Sequence, residues 1–262
     1  MAALTSKHST ALTHAILPFL HRHALISAIS VSSFSRRHKS PVQPIHAQAR
    51  RMRKDELVAS PSDLLFKEPL EIVKYPDPIL RVKNKRVNSF DESLKRLVHE
   101  MFDVMYRTDG IGLSAPQVGV NIQLMVFNPV GERGQGEEIV LVNPRINRFS
   151  RKIVTFNEGC LSFPGIYADV KRPDSLKVSA QDITGARFEM NLTELPARVF
   201  QHEYDHLQGI LFFDRMSDEV LDTIRAELLA LEKEYEEKSG LTSPEKIETR
   251  ERRKKAVGFG KS

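Results

Sequence analysis

Five consecutive residues, His202-Glu203-Tyr204-Asp205-His206, carry the sharpest chemical signal in this 262-residue sequence. On a helix of 3.6 residues per turn, His202 and His206 project about 40° apart, so both imidazoles can reach one metal ion. Glu203 lies about 100° from His202 and about 60° from His206, where its carboxylate can address a water molecule beside that ion. A bound ion brings the pKa of such a water towards ~7, and the carboxylate accepts and later returns its proton. An accidental pentad on a solvated helix is the competing reading. The pentad also leaves a third ligand unnamed.

Three candidates for that ligand separate the possible chemistries. A third His in the pattern His-Glu-x-x-His-x-x-Gly-x-x-His is excluded, because Gly209 fits but Phe212 stands at the required place. A downstream carboxylate, as in thermolysin-like enzymes, is available at Glu219 or Glu227. The sole cysteine, Cys160 in Asn157-Glu-Gly-Cys-Leu-Ser-Phe-Pro164, is the remaining one. Its thiolate would complete a two-His, one-Cys site with one position open for water. A lone thiol is also an ordinary buried apolar group. A nucleophilic role is weak, since only His99, His202 and His206 follow the first 54 residues and two of them are already engaged.

A third segment, Gly110-Ile-Gly-Leu-Ser-Ala-Pro-Gln-Val-Gly119, superficially matches a dinucleotide fingerprint. Its context rejects that match, because a helix precedes it and Pro116 interrupts any helix that would follow. Gln117 is the residue that a plain loop leaves unexplained. Its amide would suit recognition of a carbonyl.

These residues need elements to hold them. Asp91 is a plausible N-cap, and Leu94, Leu97, Val98, Met101, Phe102 and Met105 recur at helical spacing until Asp109-Gly110. Short β-like runs follow at Ile122–Phe127, Ile139–Val142, Ile153–Phe156, Val170–Val178 and Arg187–Leu192. A second helix is expected from Pro196 to Gly209, carrying the pentad, and a third over Ser217–Glu237. The fold class expected is α+β: antiparallel sheets around a central metal-binding helix, with an N-terminal and a C-terminal helix.

Composition divides the chain. Residues 1–54 contain no Asp or Glu, nine Lys+Arg, eleven Ser+Thr and six of the nine His. That is the make-up of an organelle transit peptide. The whole chain carries +5 and the first 54 residues +9, so residues 55–262 carry −4. The basic balance therefore belongs to the presequence and predicts no nucleic-acid footprint on the domain. No run reaches the roughly 18 apolar residues of a membrane span. Residues 55–69 read as a linker, 70–239 as the catalytic domain and 240–262 as a charged, disordered tail.

Together, Gly110–Gln117, Glu158–Ser162 and Gln201–His206 resemble, in order, the signature of peptide deformylases. The similarity runs from about residue 70 to 230, and Ser162–Tyr167 is similar to the plastid branch and to some bacterial members. The resemblance implies Cys160, His202 and His206 as ligands of one divalent ion, Fe²⁺ or Zn²⁺, and Glu203 as the general acid/base. It implies an oxyanion hole from Gln117 and the backbone N–H of Leu161. It places Ile111, Gly112, Glu158, Gly159 and Val199 along the substrate, the first two pairing with it like a strand. Some bacterial members carry an Arg where this chain has Tyr167, and Arg172 is the nearest cation offered to Glu158. The implied substrates are N-formylmethionyl nascent peptides, met near the exit tunnel of an organellar ribosome. The implied compartment is the chloroplast stroma, with the mitochondrial matrix as alternative or addition. Competing readings are a thermolysin-like zinc endopeptidase and a non-catalytic ribosome- or zinc-binding module.

Overall fold

The computed structural model describes residues 57–249. Residues 1–56 and 250–262 lie outside the described residues, and with them the transit-peptide expectation and the end of the tail.

The first helix forms as its pattern predicts. The Asp91 carboxylate accepts from the N–H groups of Ser93 and Leu94, opening α1 (Glu92–Arg107) and satisfying two amides that a helix start leaves free. Leu94, Leu97, Val98, Met101, Phe102 and Met105 are all buried on one stripe. Gly110 N–H donates back to the Met105 carbonyl (2.8 Å) and ends the helix.

The chain then builds β1 (Gly112–Ser114), a 3-10 turn over Ala115–Val118, β2 (Leu124–Phe127), β3 (Ile139–Phe149), β4 (Ile153–Cys160) and β5 (Phe163–Pro173). After them come β6 (Ser175–Gln181), β7 (Arg187–Thr193), α2 (Glu194–Leu207), α3 (Asp218–Thr223) and α4 (Arg225–Ser239). A five-stranded antiparallel sheet has the order β1-β2-β3-β6-β7, and β4 with β5 forms a separate hairpin. Helix α2 packs against β1, β2 and β7 on one side and β5 on the other. It is therefore the central helix of an α+β fold. Among the described residues, no helix is long and apolar enough to cross a membrane.

Four expectations are corrected. The single strand Val170–Val178 is two, because the partner changes at Asp174: its N–H still donates to the Lys152 carbonyl of the hairpin (2.9 Å), while its carbonyl accepts from Glu194 N–H beside the large sheet (3.0 Å). The chain thereby passes from the hairpin to the large sheet. The helix Ser217–Glu237 breaks at Ile224 (φ −114, ψ 7), whose buried side chain joins the apolar cluster of Leu221, Leu228 and Phe213.

The linker expected at 55–69 is largely part of the fold. Val58 bridges Arg86, Asp63 pairs with Lys85 (2.6 Å), and Ala59 and Leu64 are buried in one cluster with Leu94 and Leu97. Leu64→Ala should therefore destabilise the protein by about 2–4 kcal/mol in a denaturant titration, the usual cost of emptying a core leucine site. A change below about 0.5 kcal/mol, typical of surface sites, would return the segment to a linker.

The tail is likewise seated as far as residue 249. Ile247 is buried, its N–H donates to the Glu232 carboxylate (2.9 Å), and Arg81 pairs with Glu245. Glu232 is itself buried and also accepts from the Tyr75 hydroxyl (2.6 Å). Composition suggested a solvated tail because it registers the charges of residues 240–249 and not their distant partners.

Candidate metal centre

Two elements meet to make the site. Cys160 is the last residue of β4, where the hairpin register shifts, and α2 presents His202 and His206 one turn apart. The ligand atoms of Cys160, His202 and His206 all lie within 4.8 Å of one another. Cys160 Sγ is 3.3 Å from His206 Nε2, and the two imidazole centroids are 5.1 Å apart. Among the described residues this is the sole cluster of His, Cys and carboxylates with ligand spacing. Glu219 and Glu227, on α3 and α4, are not part of it.

The electrostatics fit a cation at that place. Burial lowers the pKa of His206, with His202 and Arg172 adding to the effect, so its imidazole stays neutral with a lone pair to give. Burial also works against a charged His202, but the Cys160 sulfur, Glu158 and Glu203 outweigh it and raise that pKa well above the ordinary value. The anions that favour a proton there favour a divalent cation still more. Glu203 is buried, and one of its oxygens, Oε2, has no partner. Burial pushes its carboxyl up to about 7, against the lowering pull of His202, Ser114 and Arg172 nearby. An orphaned buried acceptor beside a thiol and two imidazoles is the donor set of a metal site with a position left for water.

Gln117 reaches the same spot from the 3-10 turn. Its Oε1 accepts from Ser114 N (2.9 Å) and Ser114 Oγ (2.7 Å). That fixes the amide so that Nε2 faces Cys160 Sγ (3.6 Å) and Ser162 Oγ (3.4 Å). Gly112 supplies the close approach: a Cβ there would lie 2.5 Å from Val199 Cγ1 and 2.9 Å from Glu203 Oε1. Val199 and Phe200 are both buried in one apolar cluster with Met125, Phe127 and Leu192. Strand β1 stands at the end of the strand order, pairing on one side with β2, and Ile111 precedes it. Leu161 is partly buried, with Cδ1 2.7 Å from where a Gly110 Cβ would be. Gly159 lies under the Tyr167 ring, which is 59% exposed.

The Glu158 side chain is engaged in the interior. It is buried and accepts from Arg172 Nε (2.7 Å), Arg172 Nη2 (3.0 Å) and Arg198 Nη1 (2.8 Å), and pairs with His202 Nδ1 (3.0 Å). Burial alone would raise its pKa, but Arg172 and His202 hold it well below the usual carboxylate range. Arg172 is fully buried and continues to Asp205 (2.6 Å), which Arg215 closes from the other side. An interior arginine is tolerable only with such partners. Ser114, Arg198 and Asp205 were not singled out from sequence. The one available signal was spacing, since Arg198 precedes His202 by one helical turn.

The polypeptide deformylase family pattern matches residues 69–221. The chain is 59% identical over 277 residues to peptide deformylase 1B, chloroplastic, of Solanum lycopersicum, covering 100% of this chain and 99% of that one. It is 60% identical over 260 residues to the chloroplastic/mitochondrial peptide deformylase 1B of Arabidopsis thaliana, covering 95% of each. A crystal structure of the Arabidopsis protein with an inhibitor superposes with a TM-score of 0.68 at 71% identity, covering 69% of this chain and 100% of that one. A Plasmodium falciparum peptide deformylase does so with 0.62 at 44%, covering 64% and 98%.

Proposed function

Because this chain belongs to the polypeptide deformylase family, we propose that Cys160, His202 and His206 hold its metal and that Glu203 carries the proton. The protein is a metal-dependent hydrolase that removes the N-formyl group from the initiator methionine of nascent chains in the chloroplast. The observation that carries the residue assignment is the unpartnered, buried Glu203 oxygen beside one thiol and two imidazoles.

When bound, the ion supplies Lewis acidity, bringing the pKa of a water at the site towards ~7. Glu203 takes a proton from that water as its oxygen attacks the formyl carbon. A carboxyl whose pKa burial has pushed up to about 7 can hold a proton and release it near neutral pH. The negative charge that develops on the formyl oxygen meets Gln117 Nε2 and the Leu161 N–H. Glu203 then protonates the leaving nitrogen, the carbon–nitrogen bond breaks, and formate and a free amine result. Ile111 and Gly112, at the end of the sheet, pair with the extended peptide, while Val199 contacts the methionine side chain. A His₂Cys donor set suits Fe²⁺ and Zn²⁺ alike.

The test is formate release from formyl-Met peptides by protein reconstituted with each metal in turn. Acetyl-Met peptides should be left essentially untouched, because one added methyl must fit beside the metal. Cleavage of internal peptide bonds with formyl groups ignored would replace this reading with an endopeptidase. Gln117→Ala should lower kcat by about 10²–10³ with metal content normal. Unchanged turnover would make that turn structural only.

The acid-free residues 1–54 support a presequence that is removed on import into the chloroplast, with the mitochondrial matrix as a second destination. Cleavage should fall between about residue 40 and Leu57, since Ala59 is already core. An organellar protein with its N-terminus intact would contradict this. The charged residues beyond 249 are proposed to contact the organellar ribosome, to be tested by co-sedimentation of full-length and truncated protein.

A further inference from the structure

Arg198 lies on α2 four residues before His202, is buried, and faces the hairpin that ends in Cys160. Its guanidinium makes three interior hydrogen bonds: Nη1 to Glu158 Oε1 (2.8 Å), Nη1 to the Val170 carbonyl (3.0 Å) and Nη2 to the Val154 carbonyl (2.6 Å). Val154 belongs to β4 and Val170 to β5, so one side chain holds both strands of the hairpin to the helix. The Phe156 ring covers it at 5.6 Å.

The same guanidinium completes the shell of Glu158. A carboxylate has about four lone-pair directions. All four are taken: Oε1 by Arg172 Nε and Arg198 Nη1, Oε2 by Arg172 Nη2 and His202 Nδ1. A carboxylate gripped by two arginines can only accept, so His202 Nδ1 is the donor and Nε2 keeps its lone pair for a metal. Without Arg198, Oε1 loses one of its two donors, and only Arg172 and the His202 ring then hold Glu158. The hairpin loses two carbonyl anchors in the same step and keeps the one that Gln201 Nε2 makes to the Pro173 carbonyl (2.9 Å).

From this geometry we infer that Arg198 is a positioning residue for metal retention: it sets the Cys160 ligand on the hairpin at the right separation from the His202 and His206 ligands on α2. This rests on the proposed ligand set. Residues that orient metal ligands commonly change metal affinity by 10–100-fold when replaced.

The experiment follows metal loss from the holoenzyme to an excess of chelator, by metal analysis of the protein over time. Arg198→Met keeps the bulk and removes the donors, and it should lose metal roughly 10–100-fold faster than wild type. Met190→Ala, a buried β7 side chain in the apolar cluster that also holds Val199 and Phe200, is the control for general loosening. It should lower Tm yet leave the rate of metal loss near that of wild type. Arg198→Lys has one ammonium that cannot serve the carboxylate and both carbonyls together, and it should fall between wild type and Met. Loss from Arg198→Met no faster than from Met190→Ala overturns the inference. So does a wild-type rate in Arg198→Lys, whether or not the Met variant folds. Wild-type protein that binds no metal would instead overturn the ligand assignment itself, and Arg198 with it.

Discussion

Glu203→Gln should give a folded, metal-loaded protein whose formate release is reduced by at least about 10²-fold. The amide matches the carboxylate in size and keeps an acceptor oxygen in its place. It cannot take a proton from water near neutral pH. Both proton transfers of the reaction, from water and to the leaving amine, are assigned to this one group, so the loss should appear in kcat with little change in KM. Burial and the absence of a partner at Oε2 favour this outcome over a structural role. A carboxylate retained for stability would be paired. Metal content and Tm near wild type with turnover also near wild type would remove Glu203 from the chemistry. Loss of the metal along with activity would reassign it as a ligand.

Cys160→Ser should lower metal affinity by at least about 10²-fold, more than replacing a residue that only orients a ligand usually costs. A thiol gives up its proton to a metal and becomes an anionic, polarisable ligand, whereas a serine hydroxyl near neutral pH stays protonated and weakly donating. The smaller oxygen creates no clash, because Sγ lies 3.3 Å from His206 Nε2 and 3.6 Å from Gln117 Nε2. The variant should therefore fold and lose activity in parallel with metal, measured by metal analysis after dialysis. Full occupancy and full activity would detach Cys160 from the site and reopen the search for a carboxylate ligand.

The legible parts of this protein are those governed by local rules. Helical periodicity puts His202 and His206 on one face and Glu203 beside them, and Asp91 caps α1, without reference to any distant residue. Strand boundaries were less legible: the stretch Val170–Val178 has uniform β-forming character, and only the sheet pairing of its two halves exposes the change of partner at Asp174. The flanks misled because composition measures charge, not the partner to which charge is bound. Arg81, Glu245 and Asp214 look like solvated surface in sequence yet are tied together in the structure.

What the sequence determined by itself was the chemistry available: one thiol, a histidine pair at a fixed helical angle, a carboxylate between them, and a glutamine just after Ala115-Pro116 in a Gly-rich segment. Tertiary structure decided which of these meet. Cys160 and His206 are 46 residues apart and in contact, whereas Glu219 and Glu227, nearer to the histidines in sequence, are outside the cluster. It also set Arg198 against the buried Glu158 across 40 residues. The reason is physical. A helix or cap is specified by backbone bonds within a few residues, while a hydrogen bond between a hairpin and a helix exists only once the sheet and core have set their separation.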